Sequence, residues 1–247
     1  MRVLDLFAGI GGFSLAAHWM GWKTVAFVER DKACQKVLAK RFEGVPIYED
    51  VRDVSGESFR GIVDIVTAGF PCPAFSRAGK RGGFEQDDLF FEAIRVATES
   101  ECRWIVFENV EGIRPWIPEV RATIQTAGYE FTDAIFDGTD FGVAQLRRRY
   151  FAVCFRRGNG TDSQPVRRIQ RNESAGIHGL QPYAPNAERR WTPTIKTKDE
   201  WRTICSDAVR VRDLNGIPGR MDRLKQLGNS INPQLAFEIF KAIEAAN

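Results

Sequence analysis

The sequence predicts an α/β fold, doubly wound around a mostly parallel β-sheet. Short apolar runs alternate with helix-spaced patterns from residue 1 to about 155, and this alternation is typical of βαβ units. A glycine-rich turn, Gly9–Gly12, follows the first apolar run, at the end of a strand where such folds bind ligands. Past Arg156 the periodicity stops and returns only near the C-terminus, which predicts a small irregular region attached to the sheet domain.

Apolar runs indicate where the strands lie. Trp104–Phe107 is wholly apolar, as expected of a strand buried on both faces, whereas Tyr129–Phe136 alternates. The predicted strands are Val3–Phe7, Thr24–Val28, Val45–Tyr48, Ile62–Ala68, Trp104–Phe107, Tyr129–Phe136 and Tyr150–Phe155.

Helical spacing and capping residues indicate where the helices lie. Asp31 occupies a capping position, and Asn232 followed by Pro233 is typical of a helix start. Because the last helix has an apolar face that needs a core to cover, residues 219–247 are assigned to the same domain as 1–156, and 157–218 to the small region. The predicted helices are Phe13–Met20, Asp31–Phe42, Asp88–Ser100, Glu119–Thr126 and the one that begins at Pro233.

Composition is that of a globular protein, with 43% hydrophobic and 27% charged residues among 247. The five cysteines form no C-x-x-C pair and only two histidines occur, which argues against a zinc site or disulfide framework and favours a reducing, cytoplasmic location. An acid interrupts the N-terminal apolar run, so no signal peptide is expected, and no apolar stretch has the length of a membrane span.

Positive charge is concentrated in one segment. Residues 145–225 hold 18 Lys/Arg and 8 Asp/Glu, whereas the rest of the chain holds 17 and 24. Clusters such as Arg147–Arg149 favour a polyanionic partner, nucleic acid in particular. The alternative is a solvated surface on which charge is grouped by chance.

Three strand ends predict a cofactor cleft. Gly9 and Gly11 would let the backbone approach a ligand at a helix start, but Ser14 replaces the third glycine of a dinucleotide turn. An adenosine-bearing cofactor without a pyrophosphate therefore fits better than NAD. Glu29 and Asp50 follow the next two strands, where carboxylates suit a ribose diol and an adenine amino group. An ordinary β–α turn and surface acids are the alternative.

A thiol and a carboxyl group are the candidate chemical groups. Cys72 lies between Pro71 and Pro73 just past a strand, a stiff setting that suits a nucleophile, although an incidental cysteine in a turn has the same pattern. Glu108 follows four apolar residues, so we expect a buried carboxyl group with a perturbed pKa, or one satisfied structurally. In an extended segment Gln145, Arg147 and Arg149 would share one face.

Five segments in this order resemble the motifs of the C5-cytosine DNA methyltransferases. They are Asp5–Phe13, Gly69–Ser76 with the Pro-Cys pair, Glu108–Val110, the pattern Gln145-x-Arg147-x-Arg149, and Gly228–Pro233. The resemblance covers residues 1–155 and 220–247. It implies a Rossmann-like sheet with helices on both faces and a small target-recognition subdomain.

The resemblance also implies S-adenosyl-L-methionine (SAM) as methyl donor, with no metal. Phe7 would stack on the adenine, Glu29 would hold the ribose, and Asp50 with Val51 would frame the base edge. The same pocket would include Gly9, Ile10, Gly11, Pro71, Leu89 and Asn229.

Catalysis implied by the resemblance begins with addition of the Cys72 thiolate to C6 of a flipped-out cytosine. Glu108 would hydrogen-bond N3 and the exocyclic amine, while Arg147 and Arg149 reach toward O2 and the adjacent sugar-phosphate. The glycine-rich basic loop after Cys72 would close over DNA as a lid, or is a plain surface loop. The expected DNA contacts are Ser76, Lys80, Arg81, Gln145 and Arg148.

Double-stranded DNA is the implied partner of what is expected to be a monomer without membrane contact. A cognate restriction endonuclease is a further partner that the sequence leaves open. Two alternatives remain: the same chemistry on tRNA, and a DNA-binding relic without activity. Every position that the chemistry needs is filled, which argues against the relic.

The excess of positive charge in residues 145–225 predicts that DNA affinity falls steeply with salt. Neutralised phosphates release counterions, so raising salt from about 50 mM to about 200 mM should weaken binding by orders of magnitude. Fluorescence anisotropy over a salt series measures this slope, and a flat dependence would show that the segment does not contact the DNA backbone.

Overall fold

A central β-sheet organises the structure, a computed structural model that describes residues 1–71, 89–137, 147–156 and 230–247. Its strands are β1 (Arg2–Leu6), β2 (Lys23–Val28), β3 (Ile47–Tyr48), β4 (Ile65–Ala68), β5 (Trp104–Val110), β6 (Tyr129–Asp137) and β7 (Arg148–Arg156). Within the described ranges they are ordered β3-β2-β1-β4-β5-β7-β6. Strands β1 to β5 are parallel and β7 is antiparallel to both neighbours, which confirms the mostly parallel sheet.

The helices are α1 (Gly12–Trp19), α2 (Lys32–Arg41), α3 (Leu89–Ser100), α4 (Ile117–Thr126) and α5 (Pro233–Ala245). Both predicted caps are confirmed: the Asp31 carboxylate accepts from the Ala33 amide at 2.7 Å, and the Asn232 side chain accepts from the Gln234 amide at 3.0 Å. Short 3-10 turns cover Val51–Asp53, Gly56–Phe59 and Glu111–Trp116. None of the helices in the described ranges is long and apolar enough to cross a membrane.

Two strands differ from their predicted bounds by three residues at one end, and the other five differ by one or two residues. The predicted strand Ile62–Ala68 begins only at Ile65, because Gly61 adopts a positive φ of 67° in a turn and Ile62 is 45% exposed. The predicted strand Trp104–Phe107 continues to Val110, because β7 pairs with β5 over its whole length. Sequence hydrophobicity alone does not report that pairing.

Helices cover both faces of the sheet, as predicted. One core cluster joins α3 and α4 to one face, and a second joins α1 and α5 to the other. The Phe240 ring of α5 lies 6.1 Å from that of Phe13 and 4.8 Å from that of Trp22. The last helix therefore packs on the sheet, while the predicted small region, 157–218, lies outside the described residues and the domain division remains a prediction.

The start of α1 contacts the segment that precedes α5. Gly11, the residue before α1, has a φ of 86°, a conformation that favours glycine. At Gly12 an added Cβ would collide with the carbonyl oxygen of Ile231 and lie 2.9 Å from its Cβ. The glycine-rich turn thus depends on glycine for close packing against residues more than 200 positions away.

The aromatic packing of α5 predicts a large loss of stability for Phe240→Ala. The ring is fully buried, so its removal leaves a cavity and should lower the free energy of unfolding by about 3–5 kcal/mol. Chemical denaturation measures the change. Phe91→Ala, at a ring that is 41% exposed, is the control and should cost much less; equal losses would contradict the assignment of α5 to the core.

Candidate functional site

The predicted site residues within the described ranges follow successive parallel strands. Phe7 follows β1, Glu29 follows β2, Asp50 comes two residues after β3, and Gly69–Pro71 follows β4. Because these strands are parallel, their carboxyl ends lie along one edge of the sheet. This edge is where open α/β sheets bind ligands.

The glycine turn and Glu29 are joined directly. One carboxylate oxygen of Glu29 accepts from the Gly9 amide at 2.6 Å, and the other accepts from the Asp31 amide at 2.7 Å. Each oxygen keeps a further lone pair with which it can accept a hydroxyl hydrogen bond. Phe7, at the start of the turn, adopts a left-handed φ of 54°, which is a strained conformation for a residue with a side chain.

An apolar wall and a second carboxylate complete this part of the edge. Val51 is 2% exposed and belongs to the same core cluster on which Phe7 and Leu89 pack. Asp50 begins the adjacent 3-10 turn, and its carboxylate accepts from the Arg52 amide at 3.0 Å. Partly buried apolar side chains and two carboxylates on neighbouring strand-end segments fit an adenosine group, whose base is flat and whose ribose and amino group donate hydrogen bonds.

Asp5 is a buried carboxyl group beneath this edge. It is fully buried in β1 and accepts hydrogen bonds from the Ser14 hydroxyl of α1 and the Thr67 hydroxyl of β4, both at 2.8 Å. Burial raises the pKa of Asp5 to about 7, although both hydroxyls act in the opposite direction. The residue ties three elements of the site together. Its signal in the sequence is an acid inside an apolar strand, at the start of the segment Asp5–Phe13, and the sequence analysis assigned it no role in the site.

Glu108 lies where β4 has ended and β5 continues. The last β4–β5 pair is Ala68 with Phe107, so Glu108 faces the edge, with β7 on its other side. Its Oε1 accepts from Nε of Arg149 at 2.9 Å. Its Oε2 would be 3.7 Å from a Cβ added at Gly69, which places this oxygen beside the segment that leads to Cys72.

The charge state of Glu108 is set by opposing effects. Burial raises its pKa to about 7, while the charges of Arg149 and Arg147 and the hydrogen bond from Arg149 lower it. Burial is the larger effect, because only 7% of the residue is exposed. At neutral pH the carboxyl group is therefore divided between its neutral and charged forms, and it can donate as well as accept a hydrogen bond.

The arginines beside Glu108 differ in their partners. Nη2 of Arg147 donates to the Ser230 carbonyl at 2.8 Å, and burial lowers the pKa of Arg147 to about 10. Arg148 forms an ion pair with Glu111 at 2.9 Å instead. The predicted alternation thus holds for the described residues. The charges of Arg147 and Arg149 lower the pKa of Glu108, whereas Arg148 pairs with Glu111 and does not contact Glu108.

Asn109 is a residue of the site that the sequence argument left without a role. It is 1% exposed, its Oδ1 accepts from the Val110 amide at 2.7 Å, and its Nδ2 donates to the Phe70 carbonyl at 3.5 Å. It thereby connects β5 to the segment after β4. Its signals in the sequence are an amide directly after the candidate acid and its place in the segment Glu108–Val110.

Several predicted residues lie outside the described parts of the chain, and their roles stay predictions. They are Cys72, Ser76, Lys80, Arg81, Gln145 and Asn229. Of the remaining predicted cofactor residues, Ile10 and Leu89 are half-buried, Gly11 is buried and Pro71 is exposed.

Comparison with known proteins identifies the family to which the chain belongs. A family model described as C-5 cytosine-specific DNA methylase matches residues 1–210. The chain belongs to this family. The resemblance found in the motifs is thereby confirmed, and so is the fold class.

Relatives of this methylase chain include several Type II methyltransferases. M.HhaI of Haemophilus parahaemolyticus is 35% identical over 163 residues, which are 63% of this chain and 49% of that protein. M.NgoMIV of Neisseria gonorrhoeae is 37% identical over 163 residues, 62% of this chain and 51% of that protein. The chain thus spans about half the length of the relatives it matches.

Solved structures share the fold of the methylase chain. A putative DNA modification methyltransferase encoded within an E. coli prophage aligns with a TM-score of 0.54 and 25% identity, covering 63% of this chain and 47% of that one. The Dnmt2 methyltransferase of S. pombe aligns with a TM-score of 0.54 and 20% identity, covering 66% of this chain and 53% of that one.

The raised pKa of Glu108 predicts that the contribution of this residue to the free energy of unfolding falls as the pH rises from about 4.5 to about 7. Below its ordinary pKa the carboxyl group is neutral in both the folded and the unfolded protein. Above that pKa the group ionises in the unfolded chain first, because burial disfavours the charge in the folded protein. Since Glu108→Gln cannot ionise, its free energy of unfolding should rise relative to that of wild type by on the order of 3 kcal/mol across this range. Chemical denaturation at a series of pH values tests this, and parallel curves for the two proteins would contradict it.

Proposed function

We propose that this chain is a DNA (cytosine-5-)-methyltransferase that uses SAM as methyl donor. The observation that carries the proposal is the buried Glu108, held by Arg149 at 2.9 Å and facing Gly69, three residues before Cys72. A carboxyl group that can donate a proton, next to a segment that carries a thiol, is what addition to a pyrimidine ring requires. Membership of the C-5 cytosine-specific DNA methylase family supports the same chemistry.

The cofactor end of the site is proposed to bind SAM through the residues at the ends of β1 to β3. Phe7, Val51 and Leu89 would contact the adenine, Glu29 would accept from the ribose hydroxyls, and Asp50 would accept from the adenine amino group. The turn that contains Gly9 and Gly11 would leave room for the rest of the molecule. When bound, SAM supplies an electrophilic methyl group to C5 of the cytosine.

The chain's own groups would make that carbon nucleophilic. The target base must first leave the duplex, because C5 and C6 are otherwise inside the stack. The Cys72 thiolate then forms a bond to C6, and the electron pair displaced from the C5–C6 double bond moves into the ring toward N3. Glu108 in its neutral form donates to N3, which neutralises the developing charge and leaves C5 electron-rich. After methylation, a water molecule accepts the C5 proton, and the electron pair of the broken C–H bond re-forms the C5–C6 double bond and expels Cys72 as the thiolate. N3 returns its proton to Glu108, which restores the neutral carboxyl group.

The arginines would hold the base and its backbone. Arg147 and Arg149 lie beside Glu108 and are proposed to reach O2 and the neighbouring phosphate. The basic segment 145–225 would bind double-stranded DNA, and Ser76, Lys80, Arg81, Gln145 and Arg148 would contribute further contacts. We further propose that the chain acts as a monomer in the cytoplasm, alone or together with a restriction endonuclease.

Mapping of 5-methylcytosine tests this function. The chain is incubated with SAM and mixed-sequence DNA, with tRNA in a parallel reaction, and both products are sequenced at base resolution. Methylated cytosine in a fixed DNA sequence context is the expected result. Methylation of tRNA alone would replace DNA by RNA as substrate, and methylation of neither would overturn the proposal.

Removal of the thiol is predicted to abolish transfer. Cys72→Ala lacks the atom that adds to C6, so turnover should fall to background, while SAM affinity, measured by calorimetry, stays near wild type. Cys102→Ala is the matched control, because Cys102 is a buried cysteine that precedes β5, at the end of that strand opposite to Glu108. Transfer by Cys72→Ala at the rate of Cys102→Ala would refute the covalent mechanism.

A further inference from the structure

The segment after β3 has little regular structure of its own to support it. β3 is two residues long, and the 3-10 turn Val51–Asp53 is closed by two long backbone bonds, both 3.2 Å, from Asp53 to Asp50 and from Val54 to Val51. Yet this segment carries Asp50 and Val51, which the proposed function places against the adenine. Something outside the segment must hold it in place.

Arg95 of α3 supplies that support. Its Nη2 donates to the Val51 carbonyl and its Nη1 to the Val54 carbonyl, both at 3.1 Å. These carbonyls belong to the first residue of the turn and to the residue that follows it. The guanidinium therefore spans the turn along its length and fixes the orientation of the backbone that bears Asp50.

The guanidinium is itself fixed by two carboxylates of its own helix. Oε2 of Glu92 accepts from Nε at 2.9 Å and from Nη2 at 2.7 Å, and Oε2 of Glu99 accepts from Nη1 at 2.9 Å. These bonds and the two carbonyl bonds engage all five N–H groups of the arginine. The Glu99 oxygen also accepts from the Gly56 amide at 2.8 Å, so the next turn is tied to the same helix.

We propose that Arg95 is a positioning residue for the adenine end of the SAM site. It couples α3, whose first residue is Leu89, to the turn that begins at Asp50, and so sets the distance between two walls of the pocket. This inference rests on the proposed function, because it concerns the same SAM site. Arg95 acts through Asp50 and Val51 and is not expected to touch the reacting atoms.

The test compares ligand selectivity in Arg95→Met and Arg95→Lys with that in Arg60→Met. Arg60 is a matched control: it also bonds to Glu99, through the backbone carbonyl at 2.8 Å, and pairs with Glu57, but it touches neither Val51 nor Val54. Calorimetry measures binding of SAM, S-adenosylhomocysteine and the inosine analogue of S-adenosylhomocysteine, which lacks the adenine amino group.

The expected result is a loss of adenine recognition confined to the Arg95 variants. Wild type and Arg60→Met should prefer the adenosine ligand over the inosine ligand, because the inosine base lacks the amino group that would donate to Asp50. Arg95→Met should bind SAM about tenfold more weakly and lose most of that preference, and Arg95→Lys, which cannot reach both carbonyls, should lie between. Hydrogen exchange at the Asp53 and Val54 amides should be faster in both Arg95 variants.

The possible failures are distinguishable. Suppose that wild type prefers the adenosine ligand, and that the Arg95 variants keep this preference and the wild-type hydrogen-exchange protection at Asp53 and Val54. The positioning role is then wrong while the proposed function stands. If Arg60→Met loses the preference as much as Arg95→Met, the effect is general to α3 and the specific role is likewise wrong. If wild type binds none of the three ligands, the proposed function fails and this inference fails with it.

Discussion

The unequal lengths of β4 and β5 determine the arrangement of the site. β4 pairs with β5 only as far as Ala68, whereas β7 continues to pair with β5 as far as Val110. Glu108 therefore lies beyond the last parallel pair, covered on one side by β7 and open on the other to the segment after β4. The same antiparallel register sets Arg149 opposite Val110, two residues from Glu108. A parallel strand in place of β7 would have brought a different residue there.

Among the described residues, β1 and β5 each contain a buried carboxyl group, and the surroundings of the two groups separate their roles. Asp5 and Glu108 both have a pKa near 7 because burial penalises the charged form. Two hydroxyls from two further elements satisfy Asp5, which has no exposed surface and links the sheet to α1. A guanidinium satisfies one oxygen of Glu108, and the other faces the strand end. A perturbed pKa identifies both groups, but only position at the edge identifies the one that can meet a ligand.

Local patterns predicted the parts of the fold that depend on local chemistry. Asp31 and Asn232 were identified as caps because a side-chain oxygen before a helix satisfies nearby amides whatever the tertiary structure. The predicted end of β5 was wrong, because the extent of this strand depends on pairing with β7, some 40 residues later in the chain. Arg95 had no signal of its own, since an arginine between two glutamates at helical spacing is ordinary on a solvated face. Its carbonyl partners are set by packing between α3 and the turn after β3.

The C-terminal segment shows why a site formed from strand ends still needs the last residues of the chain. A Cβ added at Gly12 would clash with the Ile231 carbonyl oxygen, and one added at Gly69 would lie 2.9 Å from Cδ1 of Ile231. The Ser230 carbonyl accepts from Arg147. Two residues thus contact the glycine turn, the segment leading to Cys72 and an arginine beside Glu108. Burial of Phe240 and the rest of the apolar face of α5 supplies the free energy that holds them there. The packing of the last helix therefore adds a connection between the proposed cofactor and base subsites to the one that strand pairing in the sheet supplies.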